Sequence, residues 1–112
     1  MNKTKLLLAQ GFESSSVKTP EFKRFATTFK REMTQELKNI GATNIKFSVG
    51  HFYISGFFTS KTGQVYYFSL SDVRGYPTQL MYRTASSYKD YTGGMNQWVS
   101  ISKGMAQRMR LV

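Results

Sequence analysis

The sequence predicts an α+β domain: an antiparallel sheet of three to four strands, with an amphipathic helix in the N-terminal half and a second helix at the C-terminal end, both packed on one sheet face. Three observations predict it. Apolar residues recur at helical spacing from Phe22 to Ile40, and residues 44–71 read as strands, opening with the alternation of 45–49. The chain has 112 residues, 40% hydrophobic and 15% aromatic, enough for one core and too short for two domains, so 1–112 is read as a single basic domain.

Residues 1–12, with Leu6-Leu7-Leu8-Ala9 at their centre, fit either a strand or one to two helical turns. Glu13-Ser14-Ser15-Ser16 reads as a polar linker. Thr19 as N-cap, Pro20 at the first helical position and Glu21 at the positive helix end then open a helix over 20–40. Phe22, Phe25, Ala26, Phe29, Met33, Leu37 and Ile40 line one side of it, and Gly41 ends it.

Ile45, Phe47 and Val49 alternate with Lys46 and Ser48 as a first strand, and Gly50-His51 supplies a tight turn of the primed hairpin kind. A second strand runs over 52–58, Ser60-Lys61-Thr62-Gly63 turns the chain, and 65–70 is the third strand of an antiparallel meander. Phe52, Ile54 and Phe58 point one way, Tyr53 and Phe57 the other; Tyr66, Phe68 and Leu70 likewise oppose Val65, Tyr67 and Ser69. Arg74-Gly75-Tyr76-Pro77 is a loop, 80–85 a fourth strand and 86–95 a polar loop rich in tyrosine. From Trp98 onward, Ile101, Ser102, Met105 and Met109 share a helical face with Asn96 as its cap, although Val99-Ser100-Ile101 fits a strand equally well. This element order is shared with double-stranded-RNA-binding domains, whose basic helix start and loop signature the sequence lacks.

Sixteen Lys and Arg stand against six Asp and Glu, a net charge of +10. No block of consecutive like charges accounts for it, so the folded surface itself must be positive and its partner polyanionic. The absence of cysteine excludes a disulfide scaffold, a thiolate zinc site and a cysteine nucleophile, and the single histidine, His51, excludes a His-rich metal cluster. No metal or cofactor is expected. Four apolar residues after Lys3 and Lys5 are too few for a signal-peptide core, and no apolar stretch reaches membrane-spanning length. A soluble, cytoplasmic protein without a membrane partner is expected.

At about 100° per residue, Lys23, Arg24, Lys30, Arg31 and Lys38 fall on one flank of the long helix, and Glu21, Glu32 and Glu36 on the other. Sorting by sign forgoes stabilising i,i+4 pairs and marks the basic flank for phosphate contacts. Lys46, Lys61, Arg83, Lys103, Arg108 and Arg110 form a second tier. Both sheet faces carry rings, and an open aromatic face beside cations holds bases in several single-strand binders. Tyr53, Tyr67 and Tyr82 are the stacking candidates, whereas Phe47, Phe52, Phe58 and Phe68 are expected in the core. If a helix begins near Asn96, the amides around Gly93-Gly94 converge into a phosphate site. His51 reads as a turn or surface histidine, and Asp72 and Asp90 as isolated carboxylates.

These features lead to a small non-catalytic nucleic-acid-binding protein, for DNA or RNA, that meets phosphates with its basic helix flank. Two other readings fit the composition. One is a phage or mobile-element inhibitor of a host nucleoprotein, of the anti-CRISPR kind. The other is a small metal-independent ribonuclease, in which Arg83 or His51 is required.

Overall fold

The computed structural model describes residues 1–11 and 20–112; the polar linker and Thr19 lie outside the described residues. In chain order the elements are α1 (Asn2–Gln10), α2 (Pro20–Asn39), β1 (Thr43–Val49), β2 (Ile54–Thr59), β3 (Val65–Leu70), a 3-10 turn (Val73–Gly75), β4 (Gln79–Ala85), β5 (Gln97–Ser100) and α3 (Met105–Arg108). The strands form one five-stranded sheet in sequence order, every neighbouring pair antiparallel. The α+β class and the meander stand as expected, with five strands in place of three to four.

The long helix follows its periodicity. Phe22, Phe25, Phe29, Met33 and Leu37 are buried against the sheet. Gly41 takes φ 84°, and beyond it Ala42 N–H donates to Leu37 O and Gly41 N–H to Lys38 O, both at 3.0 Å, the paired bonds of a Schellman cap. Without a Cβ, Gly41 reaches that left-handed geometry freely.

Residues 2–10 are helical, a choice their four apolar residues leave open and α2 decides. Glu32 accepts from Thr4 N–H at 2.7 Å, Thr4 Oγ1 at 2.6 Å and Lys3 N–H at 3.2 Å, so its carboxylate caps the first turn of α1. Burial raises the Glu32 pKa, but these bonds and the nearby amino terminus outweigh it and hold the carboxyl below its ordinary value. Glu36, one turn further, accepts from the Met1 amine at 2.9 Å and from Gly104 and Ala106 N–H at 3.2 and 2.8 Å. One side chain thereby ties α1 and α3 to α2.

The first hairpin differs from expectation. Val49 pairs with Ile54, so the connection is four residues, 50–53, closed by Gly50 N–H on Tyr53 O at 3.0 Å. Phe52 lies in this turn with φ 59° and not in the second strand. Its ring is fully buried and meets Phe22 edge-on at 5.2 Å. Burying a phenyl ring contributes roughly 1.5–3 kcal/mol, which offsets a left-handed backbone of about 1–3 kcal/mol. Within β2, a Cβ on Gly56 would fall 2.1 Å from Lys46 O and 2.6 Å from Phe68 Cζ. Glycine there lets the β1 backbone and the Phe68 ring both approach β2 closely.

The C-terminal quarter resolves toward a strand. Leu80 pairs with Val99 and Met81 with Trp98, giving β4 a partner along its free edge. The continuous helix expected from Trp98 does not form; Gly104, at φ 75°, breaks the backbone and leaves only the short α3. All three helices contribute to one core: Leu8, the α2 residues and Met105 pack with Ile54, Phe58, Tyr66, Phe68, Leu70, Leu80, Tyr82 and Val99. The opposite sheet face carries no helix.

Candidate nucleic-acid interface

Two surfaces combine the residue types that a polyanion requires. The first is the outer side of α2, where Lys23, Arg24, Lys30, Arg31 and Lys38 are all exposed. The helix packs its apolar side on the sheet, so helical geometry alone turns these five outward. None of them forms an ion pair among the described residues, where Arg74, with Asp72, is the only Lys or Arg that does. Four acids are engaged in contacts within the chain, and Glu21 is exposed on the other flank of α2. Glu32 and Glu36 serve α1 and α3, Asp72 accepts from Arg74 at 2.8 Å, and Asp90 serves its own loop. The net positive charge is therefore displayed with little local neutralisation.

The second surface is the helix-free sheet face. Strand alternation and register bring Lys46, Phe57, Tyr67 and Arg83 into one row across β1 to β4. The loop 86–96 folds over it. Tyr88 and Tyr91 pack on Phe57 with centroids at 5.4 and 5.3 Å, Tyr91 also meets Tyr67 at 5.7 Å, and Tyr88 Oη donates to Asn44 O at 2.8 Å. Arg83 spans the row and the loop: its guanidinium lies 4.7 Å from the Tyr67 ring centroid, and it donates to Tyr91 O and Asn96 Oδ1. Its Nε is the only buried side-chain nitrogen or oxygen among the described residues without a hydrogen-bond partner.

The loop corrects one expectation in an instructive way. Amides do converge near Gly93-Gly94, but on a carboxylate of the chain itself. Ser86, Thr92 and Gly93 N–H donate to Asp90 at 2.9, 3.1 and 2.9 Å, joined by the Ser86 hydroxyl. No helix starts at Asn96, which accepts from Arg83 instead. The phosphate site expected there is filled by Asp90. The Ser86 and Thr92 amides, then the Ser86 hydroxyl, lead the causes that lower its pKa from 3.8 to about 2. Because the carboxyl is depressed in the folded state, its hold on the loop is complete above about pH 4 and is lost as pH falls through about 2. The Ser86, Thr92 and Gly93 amide resonances should accordingly stay fixed from pH 7 to pH 4 and move with a midpoint near 2. A midpoint near 4 would show that the carboxylate is free.

Of the stacking candidates, Tyr67 lies on the helix-free face, half-buried, and Tyr53 stands 41% exposed in the first hairpin turn. Tyr82 is a core residue on the other face, 2% exposed, its hydroxyl accepting from Arg110 N–H at 2.7 Å, so it cannot stack on a ligand. Phe47, Phe52, Phe58 and Phe68 pack in or against the core as expected. Lys46, Lys61, Lys103, Arg108 and Arg110 are exposed. Arg108 is engaged, however, donating to Lys103 O, Ser100 O and Ser102 Oγ across the β5–α3 connection. His51 is exposed in the turn, edge-on to Phe52 at 5.1 Å, while Arg83 is clamped between Tyr67 and the loop. The two residues that the ribonuclease reading names thus lie on different elements, Arg83 in β4 and His51 in the turn between β1 and β2.

The sequence reading missed Trp98, which is 57% exposed on the helix-free face of β5. Alternation of Gln97 and Val99 with Trp98 and Ser100 was the available signal. Among the described residues no three His, Cys, Asp or Glu side chains come together in a metal-like group, and no helix is long and apolar enough to cross a membrane. Comparison with protein-family models, curated proteins and solved structures finds no match.

Proposed function

We propose that the protein is a small non-catalytic nucleic-acid-binding domain whose α2 flank grips the phosphate backbone. The observation that carries this reading is the division of labour among charges. Lys23, Arg24, Lys30, Arg31 and Lys38 are exposed and free of ion pairs among the described residues, whereas Glu32, Glu36, Asp72 and Asp90 are engaged in internal contacts. Selection for stability alone would favour mixed signs on a solvated helix, because opposite charges one turn apart stabilise it. A row of cations on one rigid element is instead the footprint of backbone recognition, with register set by the helix and affinity set by counterion release.

If all five cations meet phosphates, log K should fall against log salt with a slope of about −4 to −5. Fluorescence anisotropy with a labelled oligonucleotide between 50 and 300 mM salt reads that slope. Salt-insensitive binding, or none at low salt to either DNA or RNA, overturns the proposal. Stable co-purification with a host protein after nuclease treatment would favour the nucleoprotein-inhibitor reading in its place.

A further inference from the structure

The helix-free face carries features that a phosphate-gripping helix does not use. Beside the row of Lys46, Phe57, Tyr67 and Arg83 runs a second one, Ser48, Ser55, Ser69, Met81 and Trp98, each paired with the next across all five strands. The first row is roofed by Tyr88 and Tyr91. The second runs from three serines past Met81 to the exposed indole of Trp98. A cavity of about 160 Å³ opens where the two meet, lined by Lys46, Ser48, Ser55, Phe57, Tyr88 and Tyr91. Trp98 and Tyr91 are each 57% exposed at the margins of this surface.

We infer that this face is a second contact surface, selective for single-stranded nucleic acid, with bases stacked on Trp98 and Tyr91 and the backbone drawn toward Lys46 and Lys89. The inference rests on the polyanion reading of the charge but concerns a different surface from α2. Three observations support it. Rings left half in water on a face that no helix covers are platforms for any flat aromatic partner, and each stacked base adds to binding without regard to its sequence. Charge complementarity selects the class of partner: Lys46 and Lys89 are exposed, and Asp90 is occupied by three amides and two hydroxyls. The Arg83 Nε also remains an unused buried donor on the same face.

Geometry selects the strandedness. Four strand spacings of about 4.8 Å make the row from Ser48 to Trp98 roughly 19 Å long, the span on which other open sheets stack two or three bases. A duplex keeps its base faces stacked inside the helix and cannot offer them to Trp98.

Trp98 is the only tryptophan, so its emission reports this face alone. The full chain is titrated at low salt with a 15-nucleotide oligothymidylate, with a duplex of equal length and with polyglutamate. Single strands should quench Trp98, and the duplex and polyglutamate should leave it nearly unchanged. In anisotropy, Trp98→Ala should weaken single-strand binding roughly 5- to 100-fold while duplex binding holds. Lys46→Glu, on the same face and away from the core, should weaken the same complex. Binding of the oligonucleotide with no quenching and no effect of either variant overturns this inference and leaves the α2 proposal standing. Equal quenching by duplex or polyglutamate also overturns it. Absence of binding to every nucleic acid defeats both.

Discussion

Replacing Lys30 and Arg31 together with glutamate should lower nucleic-acid affinity by roughly 50-fold or more at 0.1 M salt, and flatten the salt slope by about 2. Each lost phosphate contact removes a nearly constant counterion-release contribution, about eightfold at that salt concentration, and the new carboxylates add repulsion. The loss should be the same for every sequence tested, because phosphates carry no sequence information. Losses that vary with sequence would mean that these residues read bases. Both side chains are exposed and outside any ion pair among the described residues, so folding stability should change by no more than about 0.5 kcal/mol. Unchanged affinity with an unchanged slope would remove α2 from the interface.

Truncating Phe29 to alanine should cost about 3–5 kcal/mol of folding free energy, read as a lowered urea midpoint at constant m-value. Phe29 is fully buried and lies where the layers join. Its ring meets Phe25 at 6.1 Å within α2, and Phe47 and Phe68 on the sheet at 6.2 and 6.4 Å. The neighbouring rings are held in their own edge-on and tilted pairs, such as Phe47 with Phe68 at 5.7 Å, so they close the cavity only in part. For a domain of this size a loss of that order is a large share of total stability. A change under about 1 kcal/mol would show that the helix is held to the sheet by other residues.

How much of this was legible in the sequence depended on how many residues spoke for each element. The long helix was plain because five turns of spacing agreed with Pro20 and Gly41. The third strand was plain because Val65–Leu70 is rich in β-branched and aromatic residues and follows a Gly-containing turn. Residues 1–12 offered only a short apolar run, and what makes 2–10 helical is the reach of Glu32 and Glu36 from α2. The end of the chain carried two periodicities at once, and Gly104 with the open edge of β4 settled them. Tyr82 was misplaced because rings on both faces of a strand do not say which face a helix will cover. The use of its hydroxyl by the Arg110 amide is a long-range fact. The basic flank was visible as a pattern, but the engagement of Glu32, Glu36, Asp72 and Asp90 by partners elsewhere in the chain is a property of the fold.

The two candidate surfaces lie on opposite layers of a body only 21 Å in its shortest dimension, the α2 flank above the sheet and the Trp98 face beneath it. If both proposals hold, a strand gripped on each side would make a single copy a crosslink. Mixed with long polymers near charge equivalence, such a molecule would gather separate strands into networks; in excess it would coat each strand singly and keep them apart.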